Sequence, residues 1–147
     1  MALQAMIAKL TRYPAKGCVG ENTDSALLIE GKGMEGDFHA DGGLRQISLL
    51  TTEERRWMDA SDAPGLCFGR YRENILLDGI SSAALVPGTR LKTGEAVLEI
   101  SDTDKRCFEE CPLYRSGKSC FLAGRSLFAK VVSGGLVRNG DTIEFIQ

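Results

Sequence analysis

This chain has no long apolar run, no marked excess of charge of either sign, one histidine and only four prolines in its 147 residues. Each shortage excludes something. A helix that spans a bilayer needs about 20 consecutive apolar residues, and no stretch approaches that. The apolar part of the opening MALQAMIAKLTRYPAKG is shorter than the roughly 7 to 15 residues of a signal-peptide core, and no small-residue cleavage site follows it. A cytoplasmic protein without a membrane partner is the expectation. Eighteen basic side chains against twenty acidic ones leave a net charge of −2, so no overall field draws the protein to nucleic acid. An anion site must then be a local pocket. Stable disulfides are rare in a reducing compartment, and the odd count of five cysteines leaves one thiol over from any complete pairing.

Glycine is what the chain has in quantity. Seventeen glycines spread over the whole length predict many short elements joined by tight turns. Strands are expected at Leu3–Leu10, Ser25–Ile29, Gln46–Leu50, Glu73–Leu77, Thr89–Leu91, Ala96–Ile100, Phe128–Val132 and Thr142–Ile146. Polar and apolar residues alternate through Val97-Leu98-Glu99-Ile100 and Thr142-Ile143-Glu144-Phe145, as half-buried strands require. Hairpin-like turns are expected at Lys92-Thr93-Gly94-Glu95 and at Arg138-Asn139-Gly140-Asp141, the latter with an Asn-Gly pair. Helix is expected from Thr52 to about Asp59, capped by Thr51 or Thr52 with Glu53 and Glu54 at its positive end, and within Phe108–Tyr114, with Pro112 in the first turn. No repeat, low-complexity tract or linker divides the chain, whose length is that of one domain covering residues 1–147.

Three stretches can carry chemistry. The first, Glu35-Gly36-Asp37-Phe38-His39-Ala40-Asp41-Gly42-Gly43-Leu44-Arg45-Gln46, brings backbone amides, His39 and Arg45 to the mouth of the apolar strand Ile47-Ser48-Leu49-Leu50. Such a rim can hold an anion; an ordinary glycine turn with His39 and Arg45 solvated fits the same residues. The second is Gly69-Arg70-Tyr71-Arg72-Glu73-Asn74. Arg70 and Arg72 can grip a phosphate or carboxylate and Asn74 can donate and accept, or Glu73 pairs with one of these arginines at an exposed edge.

The third, CFEECPLYRSGKSC, holds three of the five cysteines in residues 107–120. Lys105 and Arg106 directly precede Cys107, and nearby positive charge favours the thiolate, the form that attacks sulfur or binds a soft metal. Structural zinc usually takes ligand pairs two to four residues apart. Cys107, Cys111 and Cys120 make three ligands, with His39, Cys67 or Cys18 left for a fourth. Cys18 and Cys67 read more simply as small buried side chains, while Cys111 and Cys120 are open to packing, zinc or a redox role.

In this order and spacing the stretches resemble the MOSC domain, the family named after the C-terminal part of molybdenum-cofactor sulfurases. The matching residues are Gly36-Asp37 and His39, Gly42-Gly43, Arg45-Gln46-Ile47-Ser48-Leu49, Glu73-Asn74-Ile75, Gly79, Leu85, Gly88 and the strand 96–101 leading to Cys107. The tail through Gly134-Gly135 and Gly140-Asp141 is similar to a short stand-alone branch. The resemblance implies a mainly β fold, a MOSC-type β-barrel with a few short helices. It implies that Cys107 carries persulfide sulfur or ligates molybdenum. It further implies that His39, Arg45, Arg72, Glu73, Asn74, Lys105 and Arg106 line a site for the phosphate-bearing molybdopterin cofactor. Arg106 stands where larger enzyme relatives commonly have proline.

The leading expectation is a small protein of molybdenum-cofactor or metal–sulfur metabolism, a sulfurtransferase-type carrier or a molybdoenzyme component. Its partner would be a cysteine desulfurase, a pyridoxal-phosphate enzyme, or a cofactor-biosynthesis protein. Arg45 and His39 would anchor the phosphate, and Cys111 would resolve the Cys107 persulfide. The alternatives are a molybdenum-dependent reductase subunit for N-hydroxylated substrates and a non-catalytic module with a zinc-stabilised tail at Cys111 and Cys120.

Overall fold

The computed structural model describes residues 5–15, 19–38, 40, 42–43, 46–60, 73–102 and 127–146. Eleven strands, one α-helix and a short 3-10 turn are formed by these residues. The strands are β1 Met6–Arg12, β2 Glu21–Thr23, β3 Ser25–Ile29, β4 Gly33–Met34, β5 Ile47–Thr51, β6 Ile75–Asp78, β7 Arg90–Thr93, β8 Ala96–Asp102, β9 Leu127–Ser133, β10 Gly135–Arg138 and β11 Ile143–Ile146; the helix is α1 Thr52–Ala60. The expected mainly β class is what forms. The expected helix within Phe108–Tyr114 lies outside the described residues.

Eight strands make one sheet in the order β11-β7-β8-β9-β5-β6-β1-β2, and β10-β3-β4 make a second. Only β5 and β6 run parallel in the pairings of these sheets. The barrel is not closed by a continuous ladder. Instead β11, at one edge, meets the start of β1 through a single bridge between Met6 and Thr142. Backbone bonds from Ile7 N to Asp141 O (2.9 Å), Gly140 N to Ile7 O (2.8 Å) and Ile143 N to Ala5 O (2.9 Å) hold that seam.

The inward residues of these strands form one apolar core that includes Ile7, Leu10, Leu49, Ile75, Leu77, Leu91, Leu98, Val131 and Val137. Alternation places them there: β9 reads buried and half-buried by turns along Leu127–Val132, the period-two pattern of a strand with one face on the core. β5 departs from it and is buried at all five positions. Leu49 lies in the core, while Leu50, on the opposite face, is covered where α1 packs across β5 and β6. A strand covered on both sides reads as continuously apolar.

Local chemistry sets the boundaries. Thr51 caps α1: its Oγ1 accepts from Glu54 N (3.2 Å) while Glu54 Oε1 accepts from Thr51 N (3.1 Å). This reciprocal pair is the capping box that Thr-x-x-Glu encodes. Gly94, at φ +54°, fills the first central position between the paired Thr93 and Ala96, as a two-residue hairpin of the II′ kind requires. The second expected hairpin is corrected. Residues 138–141 do turn, with Asp141 N bonded to Arg138 O (3.1 Å). But β10 pairs with β3 and β11 with β7, so this turn carries the chain from one sheet to the other.

Candidate functional site

The glycine-rich loop, the end of β1 and the start of β6 are far apart in sequence, and the sheet order brings them to one place. The start of β5 lies between β6 and β9. Asn74, one residue ahead of β6, is fully buried and joins three of these segments. Its Nδ2 donates to Asp37 Oδ1 (3.0 Å) and to Thr11 O (3.2 Å), and its Oδ1 accepts from Ser48 N (3.0 Å). Its own backbone extends the pairing, from Asn74 N to Ser48 O (2.7 Å) and from Thr11 N to Asn74 O (2.8 Å). Both N–H bonds of the amide are therefore engaged inside the protein.

Asp37 is the other half of the node. Its Oδ1 accepts from Tyr13 N at 2.7 Å as well as from Asn74, and Phe38 N returns a bond to Tyr13 O (2.9 Å). Buried carboxylates persist where such donors replace water. The Gly36-Asp37 turn is thereby locked to β1. Gln46 pins the far end of the loop: Nε2 donates to Gly43 O (2.8 Å) and Oε1 accepts from Val131 N (3.0 Å). Gly33 and Gly36 allow the close packing. A Cβ on Gly33 would lie 2.7 Å from Gln46 O, and one on Gly36 would lie 2.8 Å from Arg12 Cδ.

Glu73 is 5 % exposed and pairs with Arg55 of α1, Oε1 to Nη2 at 2.7 Å. That corrects the expectation of a partner at Arg70 or Arg72. Tyr13 Oη donates to Glu73 O (3.3 Å). Of the expected site residues, Glu73 and Asn74 are thus brought to the node, and both act there as framework. His39, Arg45, Arg72, Lys105, Arg106, Cys107, Cys111 and Cys120 lie outside the described residues, as do Cys18 and Cys67. Among the described residues no three His, Cys, Asp or Glu side chains gather as a metal site.

Sequence reading missed Tyr13, Arg55 and the role of Asp37. Asp37 stood in the quoted loop, but its partners are 24 and 37 residues away. Arg55 alone had a signal, its place in the first turn of the expected helix, four residues after the cap.

The end of β8 belongs to the same region. Asp102 pairs with Phe128, which pairs with Ser48, the residue bonded to Asn74. The chain therefore leaves β8, toward Cys107, at the end of the sheet where the loop and β6 meet.

The architecture is that of a β domain in which a glycine loop, two strand ends and a strand exit converge on one end of a curved sheet. The MOSC domain profile matches residues 36–144, and the chain belongs to the MOSC domain family. It is similar in fold to the YuaD protein of Bacillus subtilis, with a TM-score of 0.71 at 22 % identity over 96 % of this chain and 94 % of that one. YiiM of Escherichia coli gives 0.62 at 18 % identity over 97 % of this chain and 70 % of that one. YiiM of Geobacillus stearothermophilus gives 0.66 at 15 % identity over 97 % and 75 %. No curated protein matches the sequence.

Proposed function

We propose that this chain is a small protein of molybdenum-cofactor and metal–sulfur metabolism whose working group is the Cys107 thiol, in a site that accepts the phosphate-bearing molybdopterin cofactor. The observation that carries the reading is the exit of β8. Asp102 is in register with Ser48 beside the Asn74 node, and Cys107 follows it by five positions of chain, at most about 18 Å. Membership of a family found in molybdenum-cofactor-related proteins supports the same reading.

The donor set fits such a cofactor by chemical type. A thiolate suits a soft metal, and guanidinium, imidazole and loop amides suit a phosphate. Cys107 would hold the metal, and Arg45, His39 and Arg72 the phosphate; the bound group would supply a soft metal centre and an anion. The framework residues keep the loop in place whatever occupies it. In the sulfur-carrying step the Cys107 thiolate, favoured by Lys105 and Arg106, attacks the outer sulfur of a cysteine persulfide on a desulfurase. The donor's S–S bond breaks, its cysteine leaves as thiolate, and Cys107 keeps the persulfide. An acceptor nucleophile then takes that outer sulfur and regenerates the thiolate.

Incubation of the chain with a cysteine desulfurase and cysteine, followed by peptide mass spectrometry, is expected to add one sulfur atom at Cys107. Cys107→Ser should abolish the addition with the fold unchanged by circular dichroism. Absence of added sulfur on Cys107, or equal loading of the serine variant, would overturn the carrier reading.

A further inference from the structure

We infer that Arg12 and the Gly36 amide form an anion site for a phosphate group at the end of β1. The ion pairs among the described residues use Arg55, Arg56, Arg90 and Lys130. Of the other described cations, Lys9, Lys32, Lys92 and Arg138 are exposed, while Arg12 is half-buried. Its cross-strand neighbour is Glu21, yet no ion pair joins Arg12 to any acidic side chain among the described residues. Its stem is covered against Gly36 while its charged head is left without a protein anion among the described residues, which leaves the guanidinium's donors available to an anion from solution.

Its position is built rather than incidental. The side chain lies on Gly36: a Cβ there would stand 2.8 Å from Arg12 Cδ, 3.3 Å from Nη1 and 3.5 Å from Nε. Gly36 has φ +83°, a conformation that glycine adopts without the strain of other residues. The residue after each is locked to the other, Tyr13 N to Asp37 Oδ1 at 2.7 Å, so the backbones of Arg12 and Gly36 stay side by side. The Gly36 N–H makes no hydrogen bond to another described residue. A guanidinium fork beside a backbone amide matches the several oxygens of a phosphate. Asp37 turns its Oδ1 to Tyr13 N and Asn74 Nδ2 and makes no ion pair with Arg12. Glu21 and Glu35 lie nearby, both exposed. The site requires no reaction at Cys107.

The test is titration of the full-length chain, labelled with 15N, with inorganic phosphate and separately with phenyl phosphate, following the Gly36 amide resonance. A saturable shift is expected. Arg12→Gln should weaken it about ten- to hundredfold, the loss of one charge-assisted contact, and Arg12→Lys should retain part of it. Melting temperatures of the variants should match wild type. Tighter binding of phenyl phosphate would assign the site to a phosphorylated small molecule, and equal binding to the free anion; both support the site. No saturable shift at Gly36, or equal affinity in Arg12→Gln, overturns it. Because this readout does not involve sulfur, loss of the Cys107 reading would leave it standing, and the reverse.

Discussion

Asn74 shows how one side chain decides whether a loop is part of a site. It holds Asp37, Thr11 and Ser48 through three bonds in a fully buried position, and each broken bond leaves a polar group without water. Asn74→Ala is expected to cost about 3 kcal/mol or more in chemical denaturation, beyond what the lost volume explains. Asn74→Asp keeps the shape but sets a second carboxylate about 3 Å from Asp37 Oδ1. Its stability should be lower near pH 7 than near pH 4, where one of the pair takes a proton. Equal stability of Asn74→Asp and wild type at both values would show that the Asp37 contact contributes nothing. Residue by residue, the sequence displayed the types that gather here but not the gathering. Gly36-Asp37 and Asn74 were visible as motif residues, yet their bonds span 24 to 63 positions, and only strand order creates such neighbours. Arg12 had no motif at all; its meaning comes from lying on Gly36.

At the scale of elements, strands with several apolar residues were legible, whether alternating or continuously apolar as β5 is, and short or polar ones were not. β3 matches its expected bounds, Ser25–Ile29, and β8 and β11 differ from theirs by two residues or fewer. β2 is Glu21-Asn22-Thr23, an edge strand with no apolar residue to signal burial, and β4 is two residues long. β10 opens on Gly135, which in sequence reads as a turn. The outer face of the main sheet carries a further element-scale device. Glu99 on β8 accepts from Arg90 Nε on β7 at 3.0 Å and lies 3.6 Å from Lys130 Nζ on β9, so one carboxylate ties three strands. The hydrogen bond from Arg90 chiefly holds the Glu99 carboxyl below its ordinary value of 4.5, helped by the charges of Arg90 and Lys130. A carboxyl depressed on folding adds stability above the unfolded value and loses it as pH falls through the lower folded value. The small contribution should therefore be present at neutral pH and fade below about pH 4.5. In Glu99→Gln, melting followed from pH 7 to pH 3 should lose that part of the acid dependence, and added salt should weaken it in wild type. An unchanged acid slope in the variant would remove Glu99 from the explanation.

For the whole molecule, the consequence lies in where the curved sheet is weak. Seven strands from β11 to β1 nearly complete a ring, and a single bridge with three backbone bonds joins its two ends. The β8–β9 ladder, by contrast, is paired from Val97 to Asp102 through the core. The seam is at Met6 and the node is at Thr11 to Tyr13, so about 20 Å of β1 lies between them. Opening of the seam breaks three backbone bonds while β1 keeps its pairing with β6 and β11 its pairing with β7, and local openings that break few contacts have low free energy. Amides of Ile7, Gly140 and Ile143 should therefore exchange with deuterium well before those of Leu98 and Val131, whose exchange should track global unfolding. The node offers a separate comparison. Tyr13 N, held by the buried Asp37, should be protected more strongly than the seam although both lie on or next to β1. If seam and ladder amides exchange together at the global limit, the ring behaves as one cooperative unit. If the seam opens alone, the fold has a soft side remote from the loop, and changes at Met6 or Thr142 should leave phosphate shifts at Gly36 as they are in wild type.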